Sequence, residues 1–215
     1  MSTAGAEPFR TMNVPTTSEC LALIDRYEML PNIREHSFVV ARVAETIVNR
    51  LDLPGNSGCI LPEVELVRAG ALLHDIAKTK CLGGDCDHAD EGGCICAELG
   101  YPEIATIVRE HVILSDFVSE TCRRGTFRAK EIVYYSDKRV MHDKIVSLEE
   151  RLDYIIDHYS RGSDSIKQRI RDNFALCMEL ESCIFSFLPF TPEQLVRQVD
   201  TIPYDTGPAA GYGAH

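Results

Sequence analysis

Apolar residues recur at three- and four-residue spacing along most of the chain and almost nowhere alternate strictly, a pattern that predicts helices and gives no convincing strand. In SECLALIDRYEML, Ser18 precedes a stripe of Leu21, Ile24 and Met29 or Leu30 that stops at Pro31. A second stripe, from Ile33 to about Leu53, runs through Val39 or Val40, Val43 and Ile47 and ends at Pro54-Gly55. Pro62, at an N1-like position, opens a helix whose face carries Leu66, Val67, Gly70, Ala71, Leu73 and His74. A Gly- and Cys-rich stretch, CLGGDCDHADEGGCICAELGYP, breaks the pattern. Helices are predicted again at about 102–112, 129–140, 143–158 and 163–187, with Asp143 as an N-cap. Thr191-Pro192-Glu193 then reads as an N-cap, an N1 proline and an acidic first turn. The expectation is an all-α single domain of eight or nine helices over residues 16–200, between Gly/Pro-rich flexible ends at 1–15 and 201–215.

Composition narrows the class. The 215 residues are 45% hydrophobic and 26% charged, enough to build a core and unlike a disordered or collagen-like chain. Asp and Glu number 33 against 22 Lys and Arg, a net charge of −11 that is a poor match for a nucleic-acid surface, which needs clustered cations. MSTAGAEPFRTMNVP has no basic segment followed by an apolar one, and no apolar run approaches the ~20 residues that span a bilayer. The reading is a cytoplasmic protein with no membrane and no nucleic-acid partner. In a reducing compartment the nine cysteines are expected as buried small side chains or metal ligands in preference to disulfides.

Several polar residues stand where the stripes call for apolar ones. His36 lies four before Val40 and seven before Val43; His74 lies seven after Val67; His111 lies four after Ile107 and seven after Ile104. Asp137 lies four after Val133 and three before Val140, with nothing cationic nearby on its stripe. A buried carboxylate costs several kcal/mol unless paired or bound to metal, and a buried imidazole needs partners for both nitrogens. A divalent cation satisfies all of these groups together.

His36, the dyad His74-Asp75 inside LLHDIAK, and Asp137 in IVYYSDK together resemble the HD-domain superfamily of metal-dependent phosphohydrolases, whose signature is H…HD…D on a helical core. The resemblance spans roughly residues 33 to 140. His88 in DHADEG and His111 in IVREH fall where the subgroup with a second metal carries its additional histidines, and the whole run is similar to bacterial HD proteins that hydrolyse diadenosine tetraphosphate symmetrically. The Cys-laden segment from Cys81 to Cys96 departs from that subgroup. The resemblance implies that His36, His74, Asp75 and Asp137 hold one metal, and that Asp75 bridges to a second bound by His88 and His111. Imidazole with carboxylate suits Fe, Mn, Zn, Ni or Co. Adjacent helical residues diverge by ~100°, so His74 and Asp75 can serve neighbouring ions only near a helix end, which the Gly83-Gly84 break permits.

Two close cations would lower the pKa of a water between them and neutralise phosphate oxygens, so the implied reaction is hydrolysis of a phosphate ester or anhydride of a nucleotide or other small metabolite. A non-catalytic metal- or nucleotide-binding sensor and a di-iron oxygenase are the alternatives on the same ligand set. Lys78, four after His74 and three after Asp75, either reaches a substrate phosphate from the same helical face or complements the helix dipole. Arg109, Lys138 and Arg139 read as solvated surface charge. The run Cys81-x4-Cys86-x7-Cys94-x-Cys96 lacks the C-x2-C hook of a structural zinc site and reads as inert or redox-sensitive loop cysteines. FALCMELESCIFSFLPF reads as core or as the face of a homodimer.

Overall fold

The computed structural model describes residues 12–53, 60–84, 86–200 and Tyr204. The expected loose ends therefore lie largely outside the described residues, as do Pro54-Gly55 and Cys59. The first helix, α1 (Thr17–Arg26), is capped by Thr16, two residues before the Ser18 signal, because Thr16 and Glu19 form a complete capping box. Pro31 at N1 opens the 20-residue α2 (Pro31–Arg50). Past Pro62, α3 (Val64–Leu73) begins after the Glu63 N-cap.

Next come α4 (His88–Glu98), α5 (Pro102–Glu110), the five-residue α6 (Ser119–Arg123) and α7 (Ala129–Lys138). Beyond them a hairpin of β1 (Val140–Met141) and β2 (Lys144–Ile145) leads into α8 (Leu148–Tyr159), α9 (Asp164–Phe185), a 3₁₀ turn at Pro192–Gln194 and α10 (Leu195–Gln198). The all-helical expectation holds, with this single two-residue hairpin as the exception among the described residues.

Every residue of α7 is buried, the polar Lys130, Glu131, Asp137 and Lys138 included. Around it pack α2, α3, α5 and α9, and the core includes Ile24, Ile47, Leu72, Leu73, Ile104, Tyr134, Tyr135 and Phe174. The segment holding Phe174, Cys177, Leu180, Cys183 and Ile184 is buried in this core. Asn173 pins α9 across the bundle: its Nδ2 donates to the Val112 carbonyl, and Tyr134 donates to its Oδ1 and its carbonyl, each at 2.9 Å.

Three expectations are corrected. The Gly/Cys-rich stretch contains a helix, α4, capped by Asp87, whose side chain accepts from the Ala89 and Asp90 amides. Glycine lowers helix propensity, but here it allows contact: a Cβ on Gly92 would stand 2.8 Å from Val108 Cγ1, so the two glycines let α4 press against α5. Second, Asp143 does not cap a helix; it sits in the turn of the hairpin beside His142, at φ 57°, and α8 starts later with Ser147 and Glu150 as its capping box. Third, Cys81 and Cys86 are joined in a disulfide, against the expectation of reduced loop cysteines. The turn after α3 brings their Cα atoms to 5.2 Å, within bonding reach. Cys20, Cys96, Cys122, Cys177 and Cys183 are buried, and Cys94 is exposed. No helix among the described residues is long and apolar enough to cross a membrane.

Candidate metal centre

Two helices end at the same place with the same device. Helix α3 stops at Leu73 with His74 as C-cap, and α5 stops at Glu110 with His111 as C-cap. Each histidine turns its Nδ1 back onto the carbonyl three residues earlier, His74 onto Ala71 at 2.7 Å and His111 onto Val108 at 2.6 Å. A carbonyl only accepts, so Nδ1 carries the hydrogen and Nε2 is left with its lone pair. His36 follows the same rule: its Nδ1 donates to the His142 carbonyl at 2.9 Å, which gives the hairpin turn a function no sequence signal announced. Three imidazoles thus direct their Nε2 atoms inward.

Asp75 stands at the centre, 0% exposed, immediately after the last turn of α3. From there the chain turns by bonds such as Lys78 N–H to the Asp75 carbonyl, so His74 and Asp75 are not bound to the ~100° divergence of a continuing helix. His74 Nε2 is 3.4 Å from Asp75 Oδ2, while His88 and His111 Nε2 lie 3.4 and 3.5 Å from Oδ1. His88 is the first residue of α4 and His111 ends α5, and their Nε2 atoms stand 3.2 Å apart. Potential ligand atoms of His36, His74 and Asp75 lie within 4.8 Å of one another, and so do those of Asp75, His88 and His111. Asp137 completes the first group from α7: its Oδ1 is 3.0 Å from His36 Nε2 and 3.7 Å from His74 Nε2. All six residues singled out in the sequence meet here, and Asp75 belongs to both groups.

The donor set fits divalent cations. His74 Nε2 and Asp75 Oδ1 are buried without a hydrogen-bond partner, although each is within 3.7 Å of other potential ligand atoms. Lone pairs aimed at one another at such distances repel unless a positive charge lies among them. The C-termini of α3, α5 and α7 add their negative dipole ends from three sides. Burial alone would raise the Asp75 carboxyl, but His74 and Lys78 beside it hold it well below the usual carboxylate range. Asp137 is likewise held low against burial by Lys138 and His36. Burial pushes His88 down to about 4 and lowers His111 as well, so both imidazoles are available unprotonated. For His74, burial is outweighed by Asp75 and the net direction is upward.

The cations differ from expectation. Lys78 does face the site: its Nζ lies 2.6 Å from Asp75 Oδ2, reached through a turn and not along a helical face. Lys138 is not solvated surface charge but 4% exposed, bonded to Asp137 Oδ2 and the His111 carbonyl, both at 2.8 Å. Asp137 therefore has the cationic neighbour that its stripe lacked, because Lys138 follows it in sequence and folds back. Arg139 is also buried, but it points away, binding Glu181 Oε2 at 2.8 Å and the Val146 and Pro192 carbonyls. Arg109 is exposed, as expected, and reaches toward Cys94. Arg151 of α8 and Arg169 of α9 were not anticipated at all: they line a cavity of about 420 Å³ over the His/Asp cluster, together with Lys78, His88, His111 and Lys138. Their signal was an arginine on an otherwise apolar stripe, Arg151 with Ile155 and Arg169 with Ile166 and Ile170.

A protein-family model described as the HD domain matches residues 33–162. Among curated proteins, a tRNA (cytidine(56)-2'-O)-methyltransferase of Picrophilus torridus is 28% identical over 155 residues, 65% of this chain. The match covers 40% of that protein, so the chain spans about two fifths of the length of this relative. Among solved structures, the chain is similar to one described as a predicted HD superfamily hydrolase from an uncultured Thermotogales bacterium. Identity is 17% and the TM-score 0.43, over 82% of this chain and 95% of that one.

Proposed function

Because the chain belongs to the HD domain family over residues 33–162, we propose that it is a metal-dependent phosphohydrolase acting on a nucleotide or another small phosphorylated metabolite. One observation carries the reading: Asp75 is shared by two convergent ligand groups, with His74 Nε2 and Asp75 Oδ1 buried and unpartnered, beside a cavity lined by the neighbouring ligands His88, His111 and Asp137 and by two lysines. His36, His74, Asp75 and Asp137 would hold one ion, and Asp75, His88 and His111 a second, from among Fe, Mn, Zn, Ni and Co. Divalent ions in such a site lower the pKa of water and draw charge from phosphate oxygens, the two needs of attack at phosphorus.

The remaining tasks fall to the chain. Asp75, deprotonated and bonded to Lys78, fixes the orientation of the groups around it. Lys78 and Lys138 place ammonium groups at the cavity floor, where a substrate phosphate would replace or extend their carboxylate contacts. Ile155, Ile166, Ile170 and Phe174 of α8 and α9 give the cavity an apolar side facing these charges.

The experiment is metal analysis of the purified protein together with phosphate release from a nucleotide panel, after reconstitution with Mn or Fe, with and without chelator. Metal-dependent release from at least one nucleotide is expected. Bound metal with no release from any of them would favour a sensor, and oxygen uptake would favour an oxygenase.

A further inference from the structure

The family match ends at residue 162, whereas the wall over the His/Asp floor is completed by α9, Asp164–Phe185. The match thus covers the floor and the α8 side of the wall, while the α9 side lies beyond it. The wall is made of two stripes: Arg151, Ile155 and Tyr159 at four-residue intervals on α8, and Ile166, Arg169, Ile170 and Phe174 on α9. Helical spacing turns each set to one side, so both helices present an arginine among apolar groups toward the cavity.

Charge pairing separates the cavity's cations into two kinds. Lys78 is matched by Asp75 and Lys138 by Asp137, so the inner pair is neutralised within the site. Arg151 and Arg169 have no such match: neither makes an ion pair or a hydrogen bond with any described residue. The Arg151 Nε is buried without a partner, its guanidinium lying 5.6 Å from the Tyr154 ring centre. Near the start of α8, Arg151 also stands at the end of the helix whose dipole disfavours a cation. In a chain with a net charge of −11, many carboxylates are available for pairing. Two arginines left unpaired on the wall of one cavity, one of them with a buried orphan nitrogen, mark a place for an anion supplied by a ligand.

We propose that Arg151 and Arg169 bind a second anionic group of the substrate, separate from the phosphate presented to the His/Asp floor, while Ile155, Ile166 and Ile170 cover its apolar part. The substrate class is then a polyphosphate or bisphosphate carrying a nucleobase-like group, and not a simple phosphomonoester. A cavity of about 420 Å³ holds a ligand of that size. This inference rests on the phosphohydrolase reading for what happens at the floor, but the anion site itself is present with or without turnover.

The test is therefore a binding measurement, with activity as a separate readout. Titration calorimetry with orthophosphate, inorganic tripolyphosphate and adenosine 5'-(β,γ-imido)triphosphate is run on the full chain in chelator and again after manganese loading. Wild type is expected to bind tripolyphosphate at least about ten-fold more tightly than orthophosphate, and the nucleotide analogue more tightly still. In Arg151→Gln/Arg169→Gln that preference falls toward unity with orthophosphate affinity retained, and Arg151→Lys/Arg169→Lys recovers part of it. Circular dichroism melting confirms that the variants fold. An unchanged preference, or an equal loss for orthophosphate and tripolyphosphate, overturns the proposal. Failure of the phosphohydrolase reading would show differently: the binding preference would stand while no nucleotide is turned over in the presence of metal.

Discussion

Replacing Gly92 by alanine sets two effects of opposite sign against each other. Alanine is about 1 kcal/mol better than glycine inside a helix, so propensity alone makes the variant more stable. The new Cβ, however, would lie 2.8 Å from Val108 Cγ1 and 3.3 Å from Ile76 Cγ2, with Ala77 Cβ at 3.6 Å. Comfortable carbon contacts are ~3.5–4.0 Å, so α4 must move away from α5 by a large part of an ångström. Val108 and Ile76 are fully or almost fully buried and have no free space to rotate into. Such overpacking costs roughly 1–3 kcal/mol, which leaves a net loss of about 0–2 kcal/mol.

Gly93→Ala is the internal control. It gains the same propensity in the same helix, but its Cβ meets a single exposed side chain, Arg109 from Cγ to the guanidinium, which must turn about χ1 to clear it, and no buried residue has to move. Thermal unfolding should rank Gly92→Ala below Gly93→Ala by about 1–3 kcal/mol, or several degrees in Tm at ~2–4 °C per kcal/mol for a chain of this size. Since α4 carries His88 and α5 ends in His111, the same shift should loosen metal at the Asp75, His88 and His111 group, read by metal content after limited chelation. If Gly92→Ala proves as stable as Gly93→Ala and keeps its metal, the close approach of α4 and α5 is not what aligns the two histidines.

Three further outcomes are expected. His88→Ala/His111→Ala should roughly halve the metal in the purified protein and abolish turnover; unchanged stoichiometry by elemental analysis would refute a second ion there. Metal binding should release a proton increasingly as pH falls: Asp75 outweighs burial and raises His74, so its Nε2 is the first of these imidazole nitrogens to take up a proton that metal must displace, whereas burial holds His88 down at about 4. Calorimetry in buffers of different ionisation enthalpy measures it, and an enthalpy independent of buffer would contradict the assignment. Glu181→Ala strands the buried Arg139 guanidinium and should cost about 3 kcal/mol in urea unfolding, the low end for a broken buried pair because Tyr135 and two carbonyls remain as partners; a loss under about 1 kcal/mol would show that these suffice.

The ligand residues were legible because burial leaves a mark in helical sequence. His36, His74, His111 and Asp137 each occupy a position that the 3.6-residue period assigns to the core, and the structure buries all four. Helix α4 was not legible, because its glycines are poor helix formers by themselves and become an advantage only against α5. Lys138 and Arg139 were misjudged for a related reason: in α7 and just after it every side chain is enclosed, so a cation's fate depends on what neighbouring helices offer, Asp137 for one and Glu181 for the other. The Cys81–Cys86 bond likewise depends on a turn that composition does not specify.

What the sequence determined by itself was the helical class and which polar groups must face inward, since both follow from periodicity along one segment at a time. The tertiary structure decided which of those groups meet: that His74 and His111, capping two helices 37 residues apart in the chain, share Asp75, and that the His142 carbonyl orients His36. It also decided that Arg151 and Arg169 overlook the cluster without partners, because pairing across helices depends on crossing geometry that no single segment encodes.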